Sequence, residues 1–187
     1  MSAEILEQAF ASTGAVLANV DSAQMDGPTP CRSWTVRDLV NHVVGGTTFF
    51  AAVADTGVPP QRQPTDYTAG EFKTEFATGS ARAVAAFRAP GVMERVMKLP
   101  FGELPGERFV WVAAIDTFTH GWDLARATGQ SSDLNPALAE RLLAVARMSL
   151  PDALRGPDGQ AAFGPAVAVA DDAPAADRLA GFMGRPV

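Results

Sequence analysis

Thiols and imidazoles are scarce in this sequence: its 187 residues include one cysteine, Cys31, and two histidines, His42 and His120. A single cysteine excludes an internal disulfide and any multi-thiolate metal cluster, and it fits a reducing cytoplasm. Positive charge is also short. Fifteen Lys and Arg stand against 21 Asp and Glu, giving a net charge of −6 and a pI near 4.8. The clustered basic surface that nucleic acid or an anionic membrane requires is therefore not expected. No apolar run approaches the roughly 18 residues of a bilayer-spanning helix. Met1-Ser2-Ala3-Glu4-Ile5 lacks the basic and then apolar regions of a signal peptide. There is no glycine-rich phosphate loop, no Gly-x-Ser-x-Gly nucleophile elbow and no internal repeat.

What remains is an ordinary globular composition, 47% apolar and 19% charged, with a mean hydropathy of +0.05. The length predicts a single domain over 1–187, which should bury roughly 70% of its unfolded surface and fold without a staple or structural metal.

Apolar periodicity makes the chain mainly α. Leu6, Phe10, Thr13, Leu17 and Val20 line one face of a helix over 3–20. Gly27, Pro28 and Pro30 interrupt the chain, and Thr35-x-x-Asp38 reads as the capping box of a second helix that ends before Gly57. A polar loop over 61–68 precedes a third helix over about 70–89. Prolines and glycines between 90 and 107 exclude a helix and predict a short hairpin. A long apolar helix over 108–128 follows, stopped by Gly129, and then a helix with Asn135 as N-cap and Pro136 at its first position. Beyond 150 come a short extension with an edge-strand candidate at Val167-Ala168-Val169 and a last short helix over 177–182. The architecture expected is a four-helix bundle within about 3–150, with a hairpin-like insertion and a C-terminal extension over 151–187.

The fourth helix carries the chemistry. It is too apolar for a solvated face, yet Asp116, His120 and Asp123 lie on one side of it at spacings of four and three. A buried carboxylate must meet a cation, a proton or another partner. Asp116-x-x-x-His120 sets two ligand groups one turn apart, as two arms of a metal site would be. His42, on the second helix, supplies a third ligand if the two helices face each other. Two imidazoles and a carboxylate leave a coordination position open, the pattern of catalytic sites, and suit Zn²⁺ as well as Fe²⁺, Ni²⁺ or Mn²⁺. From spacing alone an Asp–His pair is more often a charged hydrogen bond, His42 a satisfied core or surface residue, and Asp123 a partner of Arg126 or Arg88. Cys31 reads as a small buried filler ahead of a nucleophile, and the Phe and Trp stripes as core.

Three segments and the C-terminus together resemble a known family. They are Pro28-Thr29-Pro30-Cys31-Arg32-Ser33-Trp34-Thr35-Val36-Arg37-Asp38-Leu39-Val40-Asn41-His42-Val43, Leu99-Pro100-Phe101-Gly102-Glu103-Leu104-Pro105-Gly106, and Asp116-x-x-x-His120-Gly121-Trp122-Asp123-Leu124-Ala125, with the ending Asp177-Arg178-Leu179-x-x-Phe182-x-Gly184-Arg185-Pro186. The pattern resembles the actinobacterial metal-binding family related to the N-terminal domain of mycothiol-dependent maleylpyruvate isomerase, in the DinB-like superfamily. That resemblance implies an up-down-down-up four-helix bundle with a divalent metal between helices. His42 and His120 match the two histidine ligands of the isomerase. Asp116 stands where the family has Glu, one methylene shorter, so it must sit closer to the ion or act through water. Asp123 is then hydrogen-bonded to a ligand rather than to the ion.

The family's thiol, mycothiol, is implied as a co-substrate. The isomerase's sizeable C-terminal domain has no counterpart here, which argues against maleylpyruvate isomerisation itself. The function expected is a divalent-metal-binding, thiol-dependent transferase or isomerase acting on a small electrophile in the cytoplasm, with zinc the first choice of ion and a homodimer within reach. The alternatives are a non-catalytic, metal-stabilised module for a ligand or partner, and a metal-dependent hydrolase.

Overall fold

A computed structural model of the protein describes residues 2–61, 65–150, 152–157 and 163–187. Six α-helices run through them: α1 (Ser2–Leu17), α2 (Val36–Thr56), α3 (Phe72–Arg88), α4 (Gly106–Ala127), α5 (Pro136–Ser149) and α6 (Ala175–Phe182). Strands β1 (Val96–Leu99) and β2 (Gly102–Pro105) form an antiparallel hairpin between α3 and α4, with Val96 opposite Pro105 and Leu99 opposite Gly102. The expected polar loop over 61–68 lies partly outside the described residues, and its described end forms a 3₁₀ turn at Tyr67–Ala69.

Local chemistry sets the helix ends as expected. Thr35 caps α2 reciprocally with Asp38: the Asp38 N–H donates to the Thr35 hydroxyl oxygen, and Asp38 Oδ2 accepts from the Thr35 N–H. Gly57 ends α2 in the left-handed region at φ 79°, which a residue with a Cβ adopts only at a cost. Asn135 caps α5 through its side chain, accepting from the Leu138 N–H with Pro136 at the first turn.

The first four helices make the bundle. α1 packs on α4 and α3, and α2 on α3 and α4, so α1 and α2 sit diagonally, as do α3 and α4. α5 lies outside this set against α4 and α6. Val167-Ala168-Val169 forms no strand; the Val167 N–H donates instead to the Gly181 carbonyl, so the segment runs along α6 as a single extended strap. Arg178 of α6 pairs with Glu140 of α5.

α4 is enclosed for most of its length. Every residue over 113–125 is buried except Asp116, which explains the apolar composition read from the sequence. Trp122, Phe109 and Phe118 are among its fully buried side chains. α1 and α4 are in tight contact where Gly121 faces Thr13. A Cβ on Gly121 would collide with Thr13 Oγ1 and stand 3.2 Å from the Thr13 Cα. The Thr13 hydroxyl, fully buried, donates to the Thr117 carbonyl at 2.9 Å. This contact fixes α4 beside α1 next to His120.

Gly121→Val forces branched volume into that contact and is expected to destabilise the protein by about 1–3 kcal/mol in urea unfolding, the usual cost of overpacking. Unchanged stability would show that the two helices are free to separate there.

Candidate metal centre

The three residues singled out as ligands meet. His42, on the second turn of α2, sets Nε2 3.3 Å from Asp116 Oδ2 and 3.4 Å from Oδ1. His120, one turn beyond Asp116 on α4, sets its Nε2 3.5 Å from Asp116 Oδ1. The imidazole centroids are 4.5 Å apart with the rings nearly perpendicular. These separations exceed the roughly 2.7–2.9 Å of a charge-assisted hydrogen bond. They match the edge of a coordination shell: donors about 2.0–2.2 Å from a tetrahedral ion stand about 3.3–3.6 Å from one another. The donor set and its spacing thus fit a divalent ion such as zinc.

His120 is tied from behind. Its Nδ1 lies 3.0 Å from Oδ2 of Asp123, a carboxylate with no solvent exposure. With an ion bound, an Nδ1–H donating to Asp123 would leave the Nε2 lone pair for the metal, the usual arrangement of a metal-ligating histidine. Asp123 is not paired with Arg126 or Arg88. Arg126 lies over the Trp122 ring and Arg88 pairs with Glu7. The cation that meets Asp123 is Arg185, from the C-terminal tail, with Nη2 3.0 Å from Oδ2 and Nε 3.2 Å from both oxygens. Periodicity predicts that Asp123 needs a partner but cannot reach one 62 residues away.

Cys31 is not a buried filler. It is half-buried, donates to Asp123 Oδ2 at 3.2 Å, and accepts from Arg185 Nη2 at 3.2 Å. The segment before α2 delivers it: the Val36 N–H donates to the Gly27 carbonyl and the Arg37 N–H to that of Met25, folding 27–35 over the end of the bundle. The same fold brings Trp34 onto both imidazoles, 4.8 Å from His42 and 5.4 Å from His120 between centroids. Trp34 is therefore a wall of the site as well as part of the core edge. Among the described residues two ligand clusters result, His42–Asp116–His120 and Cys31–His120–Asp123, and the guanidinium of Arg185 contacts all three members of the second.

The charges reinforce one another. Burial opposes ionisation of Asp116, but the two imidazoles override it and hold the carboxyl well below the usual carboxylate range. Burial likewise opposes protonation of His120, and the charge of Asp116, with the hydrogen bond that His120 donates to Asp123, outweighs it and raises the pKa well above that of free histidine. Asp123 is lowered against its burial by its bond to His120 and the charge of Arg185.

A mainly helical bundle with a His–Asp–His cluster between two of its helices defines the class. The model of the mycothiol maleylpyruvate isomerase N-terminal domain matches residues 6–125, and the chain belongs to that family. Two uncharacterized proteins of Mycobacterium tuberculosis, from strains H37Rv and CDC 1551, are each 43% identical over 183 residues, covering 97% of this chain and 94% of theirs. The crystal structure of the mycothiol-dependent maleylpyruvate isomerase shares the fold, with a TM-score of 0.59 and 17% identity over 76% of this chain and 66% of that one. A histidine-to-alanine mutant of the same enzyme matches with a TM-score of 0.58 at 16% identity. No helix of the described residues is long and apolar enough to cross a membrane.

The pKa directions set a pH dependence for the metal-free protein. His120 is raised, so its contribution to stability is full below about pH 6.5 and is lost as pH climbs through its higher folded value. Asp116 and Asp123 are lowered, so theirs is present above about pH 4 and lost as pH falls toward their folded values. Melting temperature measured in chelator is expected to fall on both sides of a weakly acidic maximum. A profile flat from pH 6 to 9 would contradict the ion pairing.

Proposed function

We propose that His42, Asp116 and His120 hold one divalent metal ion, zinc by the chemistry of its donors, and that the protein is a thiol-dependent transferase or isomerase acting on a small electrophile. The observation that carries this reading is that both imidazole Nε2 atoms converge on one carboxylate, 3.3 and 3.5 Å from its oxygens, with all three ligand atoms within 4.8 Å of one another, spacings of a ligand shell rather than of strong hydrogen bonds. Nickel, iron and manganese accept the same donors. Asp116 reaches both imidazoles despite its shorter side chain, which favours direct ligation over contact through water.

Each residue then has a definite task. His42 and His120 donate from opposite helices, and Asp116 offsets the charge of the ion. Asp123 holds the His120 Nδ1 proton, and Trp34 covers the imidazoles against water on one side. The side chains of His42 and Asp116 remain about a quarter and a third exposed, so the cluster is open to a small molecule from solvent. A bound ion would supply Lewis acidity, lowering the pKa of a thiol or water that joins it toward neutrality. Family membership and the shared fold of the mycothiol-dependent isomerase favour a thiol as that molecule, with mycothiol the first candidate. The clamps joining α6 and the tail to α4 favour treating 1–187 as one unit.

Metal analysis of protein purified without a metal-binding tag tests the ligand set. The wild type is expected to carry close to one ion per chain, and His42→Ala and His120→Ala to lose it; equal loading of all three overturns the assignment. Titrating mycothiol into the Co²⁺-substituted protein tests the thiol. A sulfur-to-cobalt charge-transfer band is expected, and its absence at millimolar thiol refutes thiol dependence.

A further inference from the structure

We propose that Arg185 is a positioning residue of the metal centre: by fixing the Asp123 carboxylate it holds His120 with its proton on Nδ1 and its Nε2 facing Asp116. The inference rests on the reading of His42, Asp116 and His120 as ligands and adds a residue far outside the matched family domain, which ends at 125.

The geometry is that of a fixed clamp. Nε of Arg185 lies 3.2 Å from each oxygen of Asp123, and Nη2 lies 3.0 Å from Oδ2, so the guanidinium engages the whole carboxylate. His120 Nδ1 meets the same Oδ2 at 3.0 Å and stands 3.5 Å from Nη2. Three N–H groups, Arg185 Nε and Nη2 and His120 Nδ1, therefore converge on Oδ2, an oxygen that only accepts, so His120 presents Nδ1–H toward it. The clamp is itself held. Arg185 Nη1 donates to the Met183 carbonyl, and its backbone N–H to that of Ala180. Gly184, at φ 89°, turns the tail against Gly164, where a Cβ would strike backbone. Without the guanidinium, Asp123 would be a wholly buried carboxylate balanced by an imidazole and a thiol alone. Such a group shifts toward other donors, which would turn the His120 ring and move the Nε2 that faces Asp116.

A second clamp supplies the control. Trp122 Nε1 donates to Asp177 Oδ1 at 2.7 Å, which also ties the C-terminal segment to α4 but touches neither His120 nor Asp123. If Arg185 only staples the tail, loss of either clamp should act alike.

The experiment compares Arg185→Gln, Arg185→Lys and Asp177→Ala in the full chain. Zn²⁺ affinity is read by chelator competition, His120 ¹⁵N shifts in metal-free protein at a pH where the ring is neutral, and folding by far-ultraviolet circular dichroism. Arg185→Gln is expected to stay folded, to lose Zn²⁺ affinity by about 10–100-fold, and to show a His120 ring shifted away from the Nδ1–H tautomer. Arg185→Lys, which keeps the charge without the planar fork, should recover part of both. Asp177→Ala should bind as the wild type does. Affinity within about twofold of wild type and an unaltered tautomer in Arg185→Gln overturn the inference, as does an equal loss in Asp177→Ala. If the wild type binds neither Zn²⁺ nor Co²⁺, the ligand assignment fails, and the tautomer comparison alone decides Arg185: a shift supports its role and identical spectra refute it.

Discussion

A carboxylate cut off from water must be met by positive charge or proton donors, and Asp123 is fully buried near the C-terminal end of α4. Three groups from separate parts of the chain answer it: the imidazole of His120 one turn back, the guanidinium of Arg185 in the tail, and the thiol of Cys31 before α2. Because these three converge on one acid, the orientation of His120 is not left to its rotamers. The ring is pinned on the Nδ1 side, and its Nε2 is delivered to the gap between α2 and α4. There Asp116, the one position over 113–125 that is only partly buried, opens the cluster to solvent. The His42–Asp116–His120 cluster is in this sense an outward face of a polar knot tied inside an apolar helix.

The bundle supplies the distances. α4 is pressed against α1 through Gly121 and Thr13, and α2 crosses α4 so that His42 stands within ligand range of Asp116. The capping box at Thr35 and the fold of 27–35 fix where α2 begins, and so the height at which His42 sits and where Trp34 lies over both rings. The hairpin of β1 and β2 lies between α3 and α4, with the Lys98 N–H bonded to the Gly57 carbonyl at the end of α2, so both helices are tethered at that end too.

Membership in the maleylpyruvate isomerase N-terminal domain family describes the four bundle helices, and the match to residue 125 stops just past Asp123. The segment beyond it is nevertheless part of the same chemistry. α6 reaches α4 through Asp177 on Trp122, and the tail reaches it through Arg185 on Asp123, two consecutive residues of one helix. A boundary drawn on the family pattern alone divides a cluster that the fold keeps together.

The sequence by itself determined what is local. The Thr35 box, Gly57, Asn135 and Pro136 mark helix ends because their signals act within one turn, and Asp116, His120 and Asp123 share a side because a helix repeats every 3.6 residues. It also required a partner for Asp123, since burial without one is too costly. His42 could be offered only on the condition that α2 faces α4, which no spacing rule decides, and the resemblance supported that condition. Tertiary structure alone decided that the partner is Arg185 rather than Arg126 or Arg88, that Cys31 and Trp34 border the site, and that Val167-Ala168-Val169 is a strap and not a strand. Hydrophobic patterning records which face of an element is buried and not which distant residue will be pressed against it.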